Sequence, residues 1–152
     1  MALTRTLVVL VFLLGLAAAP AAWAAERGTA AEAQAMVARA IAAYDAKGKA
    51  VFAEMTAPNT AFVDRDLYIF VVGPDHRNVA HAADAARVGV DLWTQTDVDG
   101  KAYGKAFFAE ATEQGAWVDY KWKDPLTGEI EPKSTWVVLH DGYIFGCGIY
   151  KP

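Results

Sequence analysis

The sequence predicts a single α+β domain: a five- or six-stranded antiparallel sheet, a long N-terminal helix, and a helix-loop segment as a further cover. Three observations carry this. A capped amphipathic pattern opens the body of the chain at Thr29, a dense β-branched and aromatic run fills Leu67–Val72, and three strand-like runs separated by short turns follow from Ala116 to the end. Strands joined by turns this short must run antiparallel, and helices set against such a sheet make an α+β layout.

The chain opens with Arg5, an apolar run over residues 7–16, and Ala22-Trp23-Ala24. That order of charge, apolar core and small-residue site reads as a signal peptide over 1–24, cut after Ala24. The apolar core is shorter than the roughly 20 residues that span a bilayer. Residues 25–152 are then the exported domain, periplasmic or secreted, with no stable membrane insertion after cleavage.

Thr29-Ala30-Ala31-Glu32 is a capping box, followed by Ala33, Met36, Val37, Ala40, Ile41 and Tyr44 on one helical stripe, with Gly48 as the stop. A second short helix over 49–55 buries Val51, Phe52 and Met55 and ends before Pro58. Leu67–Val72 is a buried strand closed by Gly73-Pro74-Asp75, and Asn78–His81 returns as its hairpin partner. Residues 84–96 read as a loop crossing the sheet, with a short helix near 88–93.

Asp97-Val98-Asp99-Gly100 is a turn, and 103–114 reads as a helix that places Tyr103, Phe107, Phe108 and Ala111 on one side and stops at Gly115. Strands over 116–123, 133–140 and 143–150 complete the chain, separated by 124–128 and Asp141-Gly142. This is a PAS-like layout. Ligand space is expected between the sheet and the segment that links its second and third strands, where a helix and loop pack less tightly than a continuous layer.

Composition removes several functions. Hydrophobic residues reach 55% and aromatics 12%, which is a core-forming composition rather than a disordered one. A net charge of −4 with scattered Lys and Arg excludes a nucleic-acid footprint. Cys147 is single, so no internal disulfide forms, and its glycine neighbours mark it as a small core residue. Asp97-x-Asp99-Gly100 opens like a calcium loop but lacks the later ligands, and His76, His81 and His140 lack paired spacing, so no metal is expected. Ser134 has no nucleophile-elbow setting and Cys147 no visible base, so no enzyme and no cofactor are expected.

Taken in order, Asp66-Leu67-Tyr68-Ile69-Phe70-Val71, Ala80-His81, Gly89-Val90-Asp91, Asp97-Val98-Asp99-Gly100-Lys101, Gly115 to Trp122, Asp124-Pro125-Leu126-Thr127-Gly128, Pro132 to Val137, and Gly146-Cys147-Gly148-Ile149-Tyr150 resemble the single Cache domain family, type 2. The resemblance runs from about Ala33 to Tyr150 and departs at Ala82, where relatives often carry Pro. It implies an extracytoplasmic domain that binds a small organic acid without turnover. An output domain is not expected after Pro152, so a separate membrane-bound kinase or chemoreceptor is the expected partner. The competing reading is a ligand-free interaction module docking on a membrane receptor or envelope complex.

Residue chemistry alone makes Lys133 a solvated strand-end lysine. The resemblance instead makes it the anion anchor of the pocket. His81 and Tyr120 are the expected hydrogen-bond donors, and Tyr68, Trp93 and Trp117 the expected walls, with Trp117 closing the rim beside Gly115. Phe70, Phe107 and Phe108 read as pocket lining or plain core. Alternation along 116–123 places Val118, Tyr120 and Trp122 on the inner face and Trp117, Asp119, Lys121 and Lys123 on the other.

Overall fold

The capping box forms as its residues require. In the computed structural model, which describes residues 26–151, the Thr29 hydroxyl accepts from the Glu32 amide at 3.3 Å, while the Glu32 carboxylate accepts from the Thr29 amide at 2.8 Å. Helix α1 (Ala30–Lys47) follows, burying Ala33, Met36, Val37, Ala40 and Tyr44. Gly48, at a φ of +62°, ends it. A 3₁₀ turn at Gly48–Ala50 leads into α2 (Val51–Thr56), which buries Val51, Phe52 and Met55. The signal-peptide reading of 1–24 lies outside the described residues.

Among the described residues, six strands form one antiparallel sheet: β1 (Val63–Asp64), β2 (Leu67–Val72), β3 (Asn78–His81), β4 (Ala116–Lys123), β5 (Ile130–His140) and β6 (Tyr143–Tyr150). The spatial order is β2-β6-β5-β4, with β1 and β3 pairing successive halves of the outer edge of β2. β1 is a two-residue strand that alternation in the sequence does not reveal. β5 starts three residues before the expected Lys133, at Ile130. The Pro132 carbonyl accepts from the Lys151 amide on the β6 side, so the missing proline N–H faces the end of β6 and the β4 ladder stays intact.

Helix α3 (Tyr103–Glu110) is shorter than the expected 103–114 because Ala111 turns extended. Thr112 then forms a parallel bridge to Val138, and its carbonyl accepts from the Leu139 amide at 2.9 Å. The short helix expected near 88–93 is a 3₁₀ turn at Ala85–Arg87, capped by the Asp84 carboxylate. Gly89, at a φ of +84°, stops it there.

Both faces of the sheet are covered, one by each helical segment. Leu67, Ile69, Val71, Phe145 and Cys147 pack on α1 and α2, while Tyr68, Phe70, Val72, Val118, Tyr120 and Ile144 pack on α3 and Leu92. All six residues of β2 are consequently buried.

The N-terminal end of α1 is fixed to the sheet by an ion cluster. The Arg27 guanidinium lies 2.5 Å from the Asp124 carboxylate, 3.6 Å from Asp66 and 3.2 Å from Glu131. Asp66 and Asp124 are fully buried, and Asp66 also accepts from the Gly28 amide at 2.6 Å. Removing the shared cation leaves two buried carboxylates uncompensated. Arg27→Ala is therefore expected to lower unfolding free energy in urea by about 3–5 kcal/mol, whereas Lys47→Ala, which breaks an exposed pair with Glu54, should leave the urea midpoint unchanged.

Candidate functional site

Residues opposite one another in paired strands project to the same side, so the register defines the inner face. Phe70 pairs with both Gly146 and His81, Gly146 with Val137, and Lys133 with both Tyr120 and Tyr150. These side chains all point towards α3 and the segment before it. A bulge between Val71 and Val72 skips Val79, pairing Ala80 with Val71 and Asn78 with Val72. Without it, Asn78 and His81 would face opposite sides. With it, both face inward, and Val79 packs on the helical side instead.

Between the sheet and α3 lies a hollow of about 20 Å³, room for roughly one water. Tyr68, Phe70, Asn78 and His81 form its floor, Tyr120 and Trp122 one wall, and Arg87, Leu92, Tyr103 and Phe107 its roof. Aromatic contacts close it: Phe70 stacks on Phe107 with centroids 5.5 Å apart, and Tyr103 on Tyr120 at 4.8 Å. A larger outer vestibule of about 470 Å³ shares Tyr68, His81, Arg87 and Trp122 with it and opens past Asp84, Asp124 and Gly128. Asp84 is on the outer side. Among the described residues, no Asp or Glu lines the inner hollow.

Arg87 stands where the two spaces meet. Its guanidinium lies 5.0 Å from the Trp122 ring centroid and 3.4 Å from the Tyr103 hydroxyl, to which it donates. Among the described residues, its buried Nε has no hydrogen-bond partner, and neither has Oδ1 of Asn78. The Asn78 backbone is fully used: its amide donates to Val90 and its carbonyl accepts from Gly89.

Lys133 is 1% exposed. Its ammonium donates to the Tyr68 hydroxyl at 2.7 Å and to the Tyr150 hydroxyl at 3.3 Å, and lies 4.0 Å from the Tyr68 ring centroid. Tyr150 in turn donates to the Lys123 carbonyl at 2.7 Å. The stem crosses β6 over Gly148, where any Cβ would collide with Lys133 Cε. Lys133 thus stands behind Tyr68, not on the wall of the hollow. Burial depresses its pKa to about 7, opposed by the nearby Asp66 and Asp124 carboxylates.

His81 Nδ1 accepts from the Asp84 amide at 3.0 Å, which puts the ring proton on Nε2 in the neutral form. Burial first, then Lys133 and Arg87, lower its pKa to about 4. Burial also raises the pKa values of Tyr68, Tyr103 and Tyr120, so their hydroxyls stay neutral. Tyr120 shares a 3.1 Å hydrogen bond with Thr135.

Of the residues singled out in the sequence, Tyr68, His81 and Tyr120 meet at the hollow, with Lys133 one layer behind. Trp117 does not close the rim. It lies on the opposite face, packed on Trp136 at 5.3 Å, because it alternates with Val118 and Tyr120. Trp93 is not a wall either: an Asx turn at Asp91 points Leu92 inward and leaves Trp93 40% exposed, stacked on His76 at 4.5 Å. Phe108 joins this outer group. Asn78, Arg87 and Tyr103 are the polar residues that sequence reasoning missed; Arg87, the one basic side chain between His81 and Lys101, was the available signal.

A family model described as Single Cache domain 2 matches residues 20–150. The sensor histidine kinase MctS of Rhizobium johnstonii is 34% identical over 88 residues, 57% of this chain and 19% of that kinase, so the chain spans under a fifth of its relative's length. In structure it is similar to a methyl-accepting chemotaxis protein from Vibrio parahaemolyticus (TM-score 0.66, 19% identity, 79% of this chain and 86% of that one). It is also similar to the periplasmic sensor domain of a chemotaxis protein (TM-score 0.58, 24% identity, 80% and 90%). A third similar structure is a Cache chemosensory domain described for its carboxylic acid recognition (TM-score 0.57, 18% identity, 80% and 88%). With a family match across nearly all the described residues and the expected α+β architecture in place, this chain belongs to the single Cache domain 2 family.

Proposed function

We propose that the domain binds a short organic acid between its sheet and cover, outside the cytoplasm, and reports occupancy to a separate membrane-bound kinase or chemoreceptor without turning the ligand over. One observation carries this: the inner hollow combines Arg87, the neutral His81 donor and three tyrosine hydroxyls with no acidic side chain, and the Lys133 ammonium stands one residue behind. An anion is the ligand that such a lining lacks. The carboxylic acid recognition described for one fold neighbour supports the same reading.

Catalysis has no support in the nucleophiles at hand. Ser134 donates to Asp119 at 2.6 Å on the other face of β5, and burial holds the Cys147 thiol up at about 12, beside Met36. A second reading, the ligand-free docking module, is favoured by the near-complete filling of the hollow by Phe70, Phe107, Tyr103 and Tyr120. An acid of a few heavy atoms needs several times the space present, so under the first reading the cover moves outward on binding.

A thermal-shift series with short monocarboxylates separates the two. At a hundred times its dissociation constant a ligand adds about 2.7 kcal/mol, so a clear rise in melting temperature is expected for at least one acid, and none under the docking reading. Lys133→Met keeps the stem over Gly148 and removes the charge; it should weaken acid binding about tenfold or more, and unchanged affinity would take Lys133 out of the site.

Affinity should also depend on pH. With the Lys133 pKa at about 7, the empty site is partly protonated at neutrality, and a bound carboxylate raises that pKa by favouring the ammonium. Binding therefore takes up a proton, and calorimetric affinity is expected to fall as pH rises from 7 to 9. Folding has the opposite sign: the unfolded lysine holds its proton up to about 10.4, so relief of the buried charge makes the empty domain more stable over the same interval.

A further inference from the structure

We infer that the Asp97 carboxylate is the latch of this pocket: it fastens the start of α3 to the free edge of β4, and the roof of the hollow opens by leaving that edge while Thr112 holds the far end of α3 to β5. This deepens the organic-acid reading, on which the need for the roof to open rests.

Among the described residues β4 ends the sheet, with β5 on one side and no strand on the other. An outer strand leaves every second residue with an unpaired N–H and C=O. Two of those groups are met by side chains of one turn: Asp97 Oδ2 accepts from the Lys121 amide at 3.0 Å, and the Lys101 ammonium donates to the Asp119 carbonyl. Asp97 Oδ1 meanwhile accepts from the Asp99 and Lys101 amides at 3.0 and 2.9 Å. A single carboxylate therefore closes the turn and docks it on the sheet. The Asp97-x-Asp99-Gly100 motif, which opens like a calcium loop, serves here as a clasp on a strand edge.

The clasp leads straight into the roof. The Lys101 carbonyl accepts from the Tyr103 amide at 2.8 Å, and the Tyr103 ring covers the hollow by stacking on Tyr120, which lies between Asp119 and Lys121 on β4. Among the described residues, the hydrogen bonds from 97–112 to the sheet fall at the two ends of that segment, at Asp97 and Lys101 and again at Thr112. Between them α3 meets the sheet through rings, Phe107 on Phe70 and on Tyr120. The two ends differ in kind. Side chains of a largely exposed turn exchange such partners for water at small net cost, whereas Thr112 is held by its main chain, in a parallel bridge to Val138 and a bond from the Leu139 amide. Opening therefore starts at β4, and it withdraws Tyr103 from Tyr120.

Native-state hydrogen exchange, read by NMR on the purified protein with no acid present, tests this. Once lifted, the eight residues of α3 are too few to stay helical in water, so their amides report the opening. In the wild type the amides of Ala106, Phe107 and Lys121 are expected to exchange through one local opening that low urea does not alter, and Leu139 to exchange more slowly. Asp97→Ala should speed that opening on the order of tenfold, and Lys101→Met should act in the same direction. Leu139 exchanging ahead of Lys121 overturns the inference, as does faster exchange in Asp97→Ala confined to Asp99, Lys101 and Lys121, which would leave the carboxylate a turn former only. Either result leaves the organic-acid reading standing, because that reading is decided by the thermal-shift series. Should Asp97→Ala fail to fold, Lys101→Met and the wild-type order decide between the same outcomes.

Discussion

An amine enclosed in the face of a β-sheet is the constraint around which the pocket side of this domain is arranged. Desolvating an ammonium is costly unless its donors are met, and Lys133 meets the requirement with two tyrosine hydroxyls and the ring face of Tyr68. Each element of that solution dictates another. Gly148 must be glycine because the lysine stem lies on it; Tyr150 must end β6 where its hydroxyl also reaches the Lys123 carbonyl; and Tyr68 must stand between the amine and the hollow. The cation is consequently felt at the hollow through Tyr68, whose hydroxyl accepts from it.

The second constraint is that the sheet is a middle layer. Packing α1 and α2 on one face leaves the opposite face to α3 and an irregular segment, and an irregular cover must satisfy its own backbone groups. It does so locally, through Leu92 to His76, Gly89 to Asn78 and the capped turn at Ala85–Arg87. The cover is therefore hydrogen-bonded to the β2-β3 hairpin, to β4 through the Asp97 carboxylate and the Lys121 amide and to β5 through the Thr112 carbonyl and the Leu139 amide, while over the hollow itself its contacts are mainly aromatic.

How much of this was legible in the sequence divides along physical lines. The capping box, the α1 stripe and the strands of the C-terminal half were readable because local chemistry and tertiary structure agree there. The two-sided burial was also visible in principle: Leu67–Val72 has no alternation, which marks a strand covered on both faces. Asn78 was not readable, since a bulge inverts the facing of every residue beyond it and leaves no compositional trace in Val79. Trp93 and Trp117 failed for a shared reason. Bulk and aromaticity favour burial, but whether a tryptophan meets the pocket or the opposite surface depends on a turn at Asp91 in one case and on strand parity in the other. Tyr68, His81 and Tyr120 came together because register alone places them there.

The mouth of the pocket and the start of α1 depend on the same carboxylate. Asp124 lines the vestibule and is also the nearest partner of Arg27, while Asp66, the second buried carboxylate of that cluster, lies two residues before Tyr68 on the pocket floor. Suppose an entering ligand shifts the β4-β5 turn. Either Arg27 follows, and the N-terminal end of α1 with it, or Asp124 and Asp66 lose their shared cation while buried. Breaking such a group costs about 3–5 kcal/mol, more than the 1–3 kcal/mol typical of a coupling free energy between sites. In that case the cheaper course is for Arg27 to move with the turn, and the N-terminal end of α1 with it.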